Sequence, residues 1–423
     1  MSKESARIVK TYVSLTLLST FASSFIWGIN TLFLLDAGLT ITQAFTANAF
    51  FTAGQVLFEI PTGIVADTRG RRMSFLLGTA TLFVTTVAYL WLWQIKGSMW
   101  AWALVSIFLG LGFTFYSGAT EAWLVDGLKA SNYEGELDSV FAKGSIASGF
   151  AMLTGTVAGG LVAQFSNLGV PYIMRIVALA LTFLIALFLM HDEGFSPKKG
   201  DSIFGEVRDV VKASVDFGFR NAPLRWIMLS APFSGGVAIF AFYAMQPYLL
   251  QLYGESGGYA IAGIAAAIVA AAQIVGGLLV PYASRVFKKR TSLLITGMAI
   301  STATLVLIAV AGNFWLVLLL LSAWSIVFAA IGPVRQAYVN GIVPSEQRAT
   351  VLSTDNLLNS AGGMVSQPAL GKIAEVWGYP ASYLGSAMFQ VIALPFLILA
   401  RRENAKSDAV QAETEMPPAT RSR

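Results

Sequence analysis

Gln55, Glu59 and Gly63 follow one another at four-residue steps, so a helix would carry them as one polar stripe. The stripe lies within a long apolar stretch, where a charge costs at least a few kcal/mol, about 3 by the lower estimates, so an acid is a functional candidate by default. Glu59 stands eight residues before Asp67, about 12 Å deeper at 1.5 Å per residue. Glu121 stands five before Asp126, about 7 Å deep. A carboxyl in either place can load a proton on one side of a membrane and release it on the other. Either can also be a structural partner of nearby arginines or helix ends. Asp36 ends an apolar run and reads as solvated. Arg175 and Arg335 each lie about one turn inside an apolar run. Such arginines snorkel to the interface, pair with an acid, or bind an anion. The other candidates for a binding pocket are uncharged: Asn30, Gln55, Gln246, Gln273 and Gln336 to orient a ligand, with Trp27, Tyr116, Phe240 and Tyr243 as aromatic faces. A midplane without fixed charge suits a lipophilic or neutral ligand.

A second cluster reads Gly63-Ile-Val-Ala-Asp67-Thr-Arg-Gly70-Arg71-Arg72. Gly63 permits a close helix contact and Gly70 a sharp turn. Asp67 accepts from a guanidinium or a helix N-terminus, and Arg71 and Arg72 hold the loop at a membrane surface.

The elements that must position these residues are transmembrane helices. Of 423 residues, 56% are hydrophobic and 12% charged, and a soluble chain carries roughly twice that charged fraction. The apolar residues fall in blocks long enough to cross a ~30 Å hydrocarbon core. They lack the alternation of barrel strands, so helices are the workable form. Twelve spans follow, near 12–36, 44–66, 73–95, 99–124, 143–166, 170–190, 224–250, 258–284, 291–312, 314–339, 350–376 and 379–400. The first run continues to about Leu35, too long for a cleaved signal core.

With the N-terminus cytoplasmic, Arg69, Arg71, Arg72, Lys129, Lys143, Arg285, Lys288, Lys289, Arg290 and Arg348 fall on that side, and essentially Lys96 alone on the other. Short cytoplasmic loops are rich in Lys and Arg, so both termini are expected in the cytoplasm. The same placement accounts for the net charge of +5 without nucleic acid. The expected organisation is an all-α membrane fold of two six-helix halves, 1–190 and 224–402. A cytoplasmic linker at 191–223 would carry a short amphipathic helix (Ile203, Phe204, Val207, Val210, Val211, Val215), and 403–423 would form a disordered tail. Two equal halves about a central linker are how repeat-built transporters look.

Several functions are excluded. The chain has no cysteine, and His191 is its one histidine, so no thiolate or multi-histidine metal site is available. Gly371-Lys372 lacks the remainder of a phosphate loop, which argues against an ATP-driven pump. Neither an enzyme nor a bound cofactor is expected.

The run from Gly63 to Arg72 resembles the loop signature of the major facilitator superfamily, G-x-x-x-D-x-x-G-R-R, at the expected loop of a twelve-span chain. The resemblance implies that this loop latches the two halves together in the outward-facing state, and that Asp126 pairs with a motif arginine. Phe58 to Gly63, Ser117 to Asp126, His191 to Phe195 and Arg348 to Ser353 resemble one exporter branch that includes tetracycline and multidrug resistance proteins. That implies proton antiport of a small lipophilic or amphipathic compound across the inner membrane, driven by the proton gradient, by a monomer. Two departures stand out. Ser106 occupies the place of the branch's coupling arginine in span 4, and Gly155-Thr156-Val157-Ala158-Gly159-Gly160 keeps the glycine spacing of the span 5 motif without its proline. The other transport reading is a proton-coupled uptake permease for a small nutrient or metabolite.

Overall fold

The computed structural model describes residues 2–116, 118–195, 197, 205, 208, 212, 214–254, 258–343 and 348–410. Its elements are α1 (Lys3–Trp27), α2 (Asn30–Asp36), α3 (Ile41–Arg69), α4 (Arg71–Ile95), α5 (Met99–Thr114), α6 (Ala119–Ala130), α7 (Leu137–Phe165) and α8 (Val170–Leu189) in the first half. The second half holds α9 (Ala222–Tyr253), α10 (Tyr259–Val286), α11 (Arg290–Val310), α12 (Phe314–Asn340), α13 (Arg348–Val391) and α14 (Ala393–Arg402). Among the described residues ten stretches are long and apolar enough to cross a bilayer, and the pair α1–α2, bent by 49°, adds one more. The 52-residue stretch Val351–Arg402 is too long for one crossing and is broken at Gly378 (φ 86°), so the chain makes twelve crossings.

Helix starts follow local chemistry. A capping box of Thr40 and Gln43 opens α3. Asn221 accepts from Leu224 N–H at the start of α9, and Asn313 accepts from Trp315 and Leu316 N–H at the start of α12. Two expected spans are broken. The first bends at Gly28–Ile29, and the fourth divides at Gly118 (φ 67°) into α5 and α6.

Each half packs on itself. In the first, α1 lies against α7 and α8, and α5 against α3 and α4; in the second, α9 lies against α13 and α14, and α12 against α10 and α11. The halves meet where α3 touches α13, α7 touches α10 and α2 touches α9. Four apolar cores result. Those near the end that carries Ser2 and Arg402 draw on one half each: Ile8 to Met190 in one, Leu224 to Ala400 in the other. Those at the opposite end mix halves, Phe45 joining the second-half core and Ala262 the first-half core. Among the described residues the bundle is therefore joined at one end and parted at the other.

Two expectations for the polar segments meet different fates. The amphipathic helix falls largely outside the described residues, with only a π-helical turn at Ser214–Phe219 within them. Of the tail, residues 403–410 are described and are bonded to the bundle rather than disordered; the rest lies outside the described residues. Trp226 Nε1 donates to Glu403 at 3.0 Å, Lys289 Nζ to Asn404 at 2.8 Å, and Lys289 forms a β-bridge with Ala409. Polar composition suggested disorder, but these residues bond to side chains and backbone of α9 and the start of α11.

Candidate functional site

A cavity opens between the halves at mid-bundle. Its first lobe, about 410 Å³, belongs mainly to the first half, and its second, about 340 Å³, mainly to the second. Trp27, Phe51, Gln55 and Tyr243 line both. This volume is in the range of small-molecule sites.

The first lobe is built around Arg175. The sequence placed it about one turn inside an apolar run, to snorkel to the interface, pair with an acid or bind an anion. The structure instead buries it, 2% exposed, in the lobe wall. Nε donates to Thr86 Oγ1 at 3.0 Å and Nη1 to Ala22 O at 3.1 Å, while the guanidinium lies 5.8 Å from the Phe113 ring centroid. Among the described residues the ionisable groups around it are Tyr89, Tyr116, Tyr172 and Tyr243, with no carboxylate. Ser106 is buried beside this cluster and shares a 2.7 Å hydrogen bond with Tyr89 OH. The interior positive charge of this half thus comes from α8 and not from α5.

Asn30 lines the same lobe with both ends of its amide engaged, accepting from Tyr172 OH at 3.0 Å and donating to Asn48 Oδ1 at 3.1 Å. Gln273 lines the second lobe with Trp324, Ser325 and Asn359. Phe240 does not reach either lobe; it is a fully buried core residue against Phe45.

Gln246, expected in the pocket, is instead a strut between halves. The bend at Gly28–Ile29 separates Trp27 C=O from Thr31 N–H, which an unbroken helix would join. The Gln246 amide fills the gap, accepting from Thr31 N–H at 2.9 Å and donating to Trp27 C=O at 2.8 Å. Thr31 Oγ1 also donates to Tyr243 C=O at 2.9 Å. Further out, Glu375 of α13 accepts from Thr42 N–H at 2.8 Å, so a carboxylate of one half sits on a helix N-terminus of the other. Gly160 and Gly263 let α7 and α10 touch backbone to backbone; a Cβ at Gly160 would lie 2.7 Å from Gly263 Cα. These contacts seal the cavity at that end. Hydrogen bonds join the halves there and at mid-bundle, where Gln367 Nε2 donates to Thr52 Oγ1 at 3.3 Å.

The motif loop sits at the parted end. Gly70 (φ 104°) makes the tight turn between α3 and α4, and a side chain there would strike the Asp192 carboxylate. Arg71 pairs with Asp67 at 2.5 Å, one turn away. Arg72 donates to Leu187 C=O at 2.7 Å, and its N–H donates to Asp192 at 2.9 Å. Two expectations are corrected. Among the described residues no ion pair joins Asp126 to Arg71 or Arg72; the acid that meets Arg72 is Asp192, because the end of α8 reaches the start of α4. Gly63 is exposed, and a Cβ there would meet nothing within 4 Å, so it makes no close helix contact in this state. Burial and the neighbouring Asp126 charge raise the Asp192 pKa, burial being the larger cause, against the lowering effect of Arg72 and Arg71.

The second half repeats this device with a residue from the tail. Asp408, buried, accepts from Thr291 N–H at 2.8 Å and from Thr291 Oγ1 at 2.9 Å at the start of α11. Arg72 and Thr291 are both the second residue of their helices, so Asp192 and Asp408 hold corresponding amides.

Arg335 lines neither central lobe. It makes a two-pronged ion pair with Asp355 of α13, including Nη2 to Oδ1 at 2.6 Å, and donates to Ile227 C=O at 3.0 Å. The pair lines a third cavity, about 460 Å³, with Gln336, Asn356 and Gln390, adjoining the second lobe at Phe328 and Asn359. Asp355 escaped the sequence reading. Its signal was an acid seven residues into the run that starts at Arg348. Glu59 and Glu121 also lie outside both lobes. Glu59 is half-buried on α3, and Glu121 is exposed in the first turn of α6.

The sequence profile of the Major Facilitator Superfamily matches residues 12–330 and again 258–422. The chain belongs to this superfamily. An uncharacterized MFS-type transporter of Methanocaldococcus jannaschii is 20% identical over 348 residues, covering 81% of this chain and 84% of that one. Among solved structures, the nucleoside transporter NupG superposes with a TM-score of 0.75 at 13% identity, covering 93% of this chain and 98% of that one. A bacterial homolog to the human lysosomal transporter Spinster, inward-facing and unoccupied, gives 0.71 at 16% identity over 97% and 100%. A D-xylose-proton symporter gives 0.65 at 17% over 93% and 96%. These likenesses show the fold; membership of the superfamily makes the chain a multi-pass membrane transporter and not an enzyme.

Proposed function

We propose that this chain is a secondary exporter that moves a small amphipathic compound by proton antiport with alternating access. It would act as a monomer in the inner membrane with both termini cytoplasmic. The observation that carries the reading is the central two-lobed cavity, sealed at one end by contacts between halves and parted at the end that bears the motif loop. With the termini inside, this is the inward-facing state. In this reading the motif loop, where Arg71 pairs with Asp67 and Arg72 with the end of α8, latches the halves when that end closes. Loop charge supports the orientation, and the rocking of two halves about a fixed central site is how such repeat-built carriers work.

Glu59 is the proton-linked acid of this proposal, with Glu121 beside the same mouth. Both stand between the cavity and the side that receives protons in antiport. The test is ATP-free proteoliposomes with a pH-sensitive dye and a panel of amphipathic compounds. Substrate addition should release a proton gradient, and Glu59→Gln should abolish that release while binding persists. Proton release at the normal rate in both Glu59→Gln and Glu121→Gln would remove these residues from the coupling. A similar fold is that of a D-xylose-proton symporter, so uptake is the second reading. It predicts that protons and substrate enter together.

A further inference from the structure

We infer that the central cavity is built for an amphipathic anion, a planar aromatic compound bearing one carboxylate-type group, with the charge received by Arg175. The inference rests on the proposed transport reading and names the class of its cargo. Four observations converge on it.

Arg175 is a permanent charge, because a guanidinium does not deprotonate in proteins. It is 2% exposed, and a buried cation ordinarily has an acid beside it. Here the neighbouring ionisable groups are tyrosines, and the Phe113 face at 5.8 Å is only a partial substitute. Its two protein hydrogen bonds use Nε and Nη1, leaving Nη2 without a partner among the described residues. A ligand oxygen would supply both the missing acceptor and the missing charge.

Other polar groups in the walls are also unpaired. Asn48 Nδ2 in the first lobe is buried without a hydrogen-bond partner, as are Trp324 Nε1 and Ser325 Oγ in the second. Buried polar groups are normally satisfied, so these wall side chains have donors to turn toward a ligand's acceptors. Between the two lobes stand Trp27, Phe51 and Tyr243, which offer ring faces to a flat apolar body. The expected pose places the anionic head on Arg175 and Asn48, the rings between the aromatics, and any distal acceptor near Trp324. Arg335 is not an alternative receiver, because Asp355 already occupies it.

The experiment is calorimetric titration of the purified full chain with four probes: 2-naphthoate, the neutral 2-naphthamide of the same shape, 2-naphthylmethylammonium, and chloride. Naphthoate should bind at least about tenfold tighter than the amide, since a hydrogen bond to a charged group is worth about a factor of ten or more. Arg175→Gln should erase that preference, and Arg175→Lys should keep part of it. Should Arg175→Gln fail to fold, the probe ratio on the unaltered chain still decides. Equal or tighter binding of the amide or the ammonium overturns the inference, as does no binding by any probe, or chloride displacing naphthoate completely (a small-ion site only). Counterflow of the same probes in proteoliposomes separates the two readings. If the amide or ammonium crosses and naphthoate does not, the anion inference fails and transport stands. If naphthoate binds through Arg175 but nothing crosses, the transport reading fails and the site stands.

Discussion

Adding one methyl group at Gly160 should push the transporter out of the state seen here. Gly160 on α7 meets Gly263 on α10 backbone to backbone. A Cβ at Gly160 would lie 2.7 Å from Gly263 Cα and 2.8 Å from Tyr259 O, against 3.4–4 Å for an ordinary contact. No flexible side chain is present to yield, so the helices must part by about 1 Å, an overpacking that costs about 1–3 kcal/mol. The cost falls only on the state in which α7 and α10 touch. At about 1.4 kcal/mol per tenfold, the balance moves roughly 5- to 150-fold toward the outward-open state. The chain has no cysteine, so a single Ser23→Cys in the first lobe is a background-free reporter for a membrane-impermeant maleimide. Gly160→Ala should raise its labelling from the side opposite the termini, and Gly160→Val should raise it further. Gly277→Ala on α10, whose Cβ would meet nothing within 4 Å, is the control. If correctly folded Gly160→Ala labels like the parent, the backbone contact does not set the equilibrium and the gate assignment is wrong.

Gln246→Leu should bias the transporter the same way and by a similar amount, about 1–3 kcal/mol, because it strands Thr31 N–H and Trp27 C=O without a partner; the Ser23→Cys reporter reads this too. Asp355→Asn should lower thermal stability by about 3–5 kcal/mol by leaving Arg335 unpaired in a buried site, and Arg335→Gln on top of it should restore part of the loss. A double variant no more stable than Asp355→Asn alone, measured in the same detergent, would show that the pair is not the source. Asp408→Ala should cost about 1–2 kcal/mol through the unprotected start of α11. Truncation after Arg402 should do at least as much damage, as read by thermal unfolding. Asp192 has its pKa raised above 3.8 chiefly by burial, so the folded state holds that proton longer than the unfolded chain. Its contribution to stability is therefore full below 3.8 and is lost as pH rises through the raised value. Thermal unfolding of the parent relative to Asp192→Asn should fall across that window and level off above it; a difference that instead grows with pH refutes the assignment.

The sequence alone determined what lipid demands of any chain. Each span must close its own backbone hydrogen bonds and cover the hydrocarbon core with about 20 apolar residues, so the crossings could be read segment by segment. Gly70 and its arginines were readable because a sharp turn and a surface charge are local properties. The tertiary structure decided which face of each span looks inward. In a soluble helix the polar face marks the outside, but a span is apolar all round, so nothing in the sequence says whether Arg175 reaches for the interface or for the cavity. The bundle turns it inward, beside Thr86, Ala22 O and the Phe113 ring, and joins α8 to α1, α4 and α5 there. Likewise Gln246 and Trp27 lie 219 residues apart, as do Arg335 and Asp355 by 20, Thr291 and Asp408 by 117. A polar side chain within lipid takes whichever partner the packing brings near, and that choice belongs to the assembled bundle.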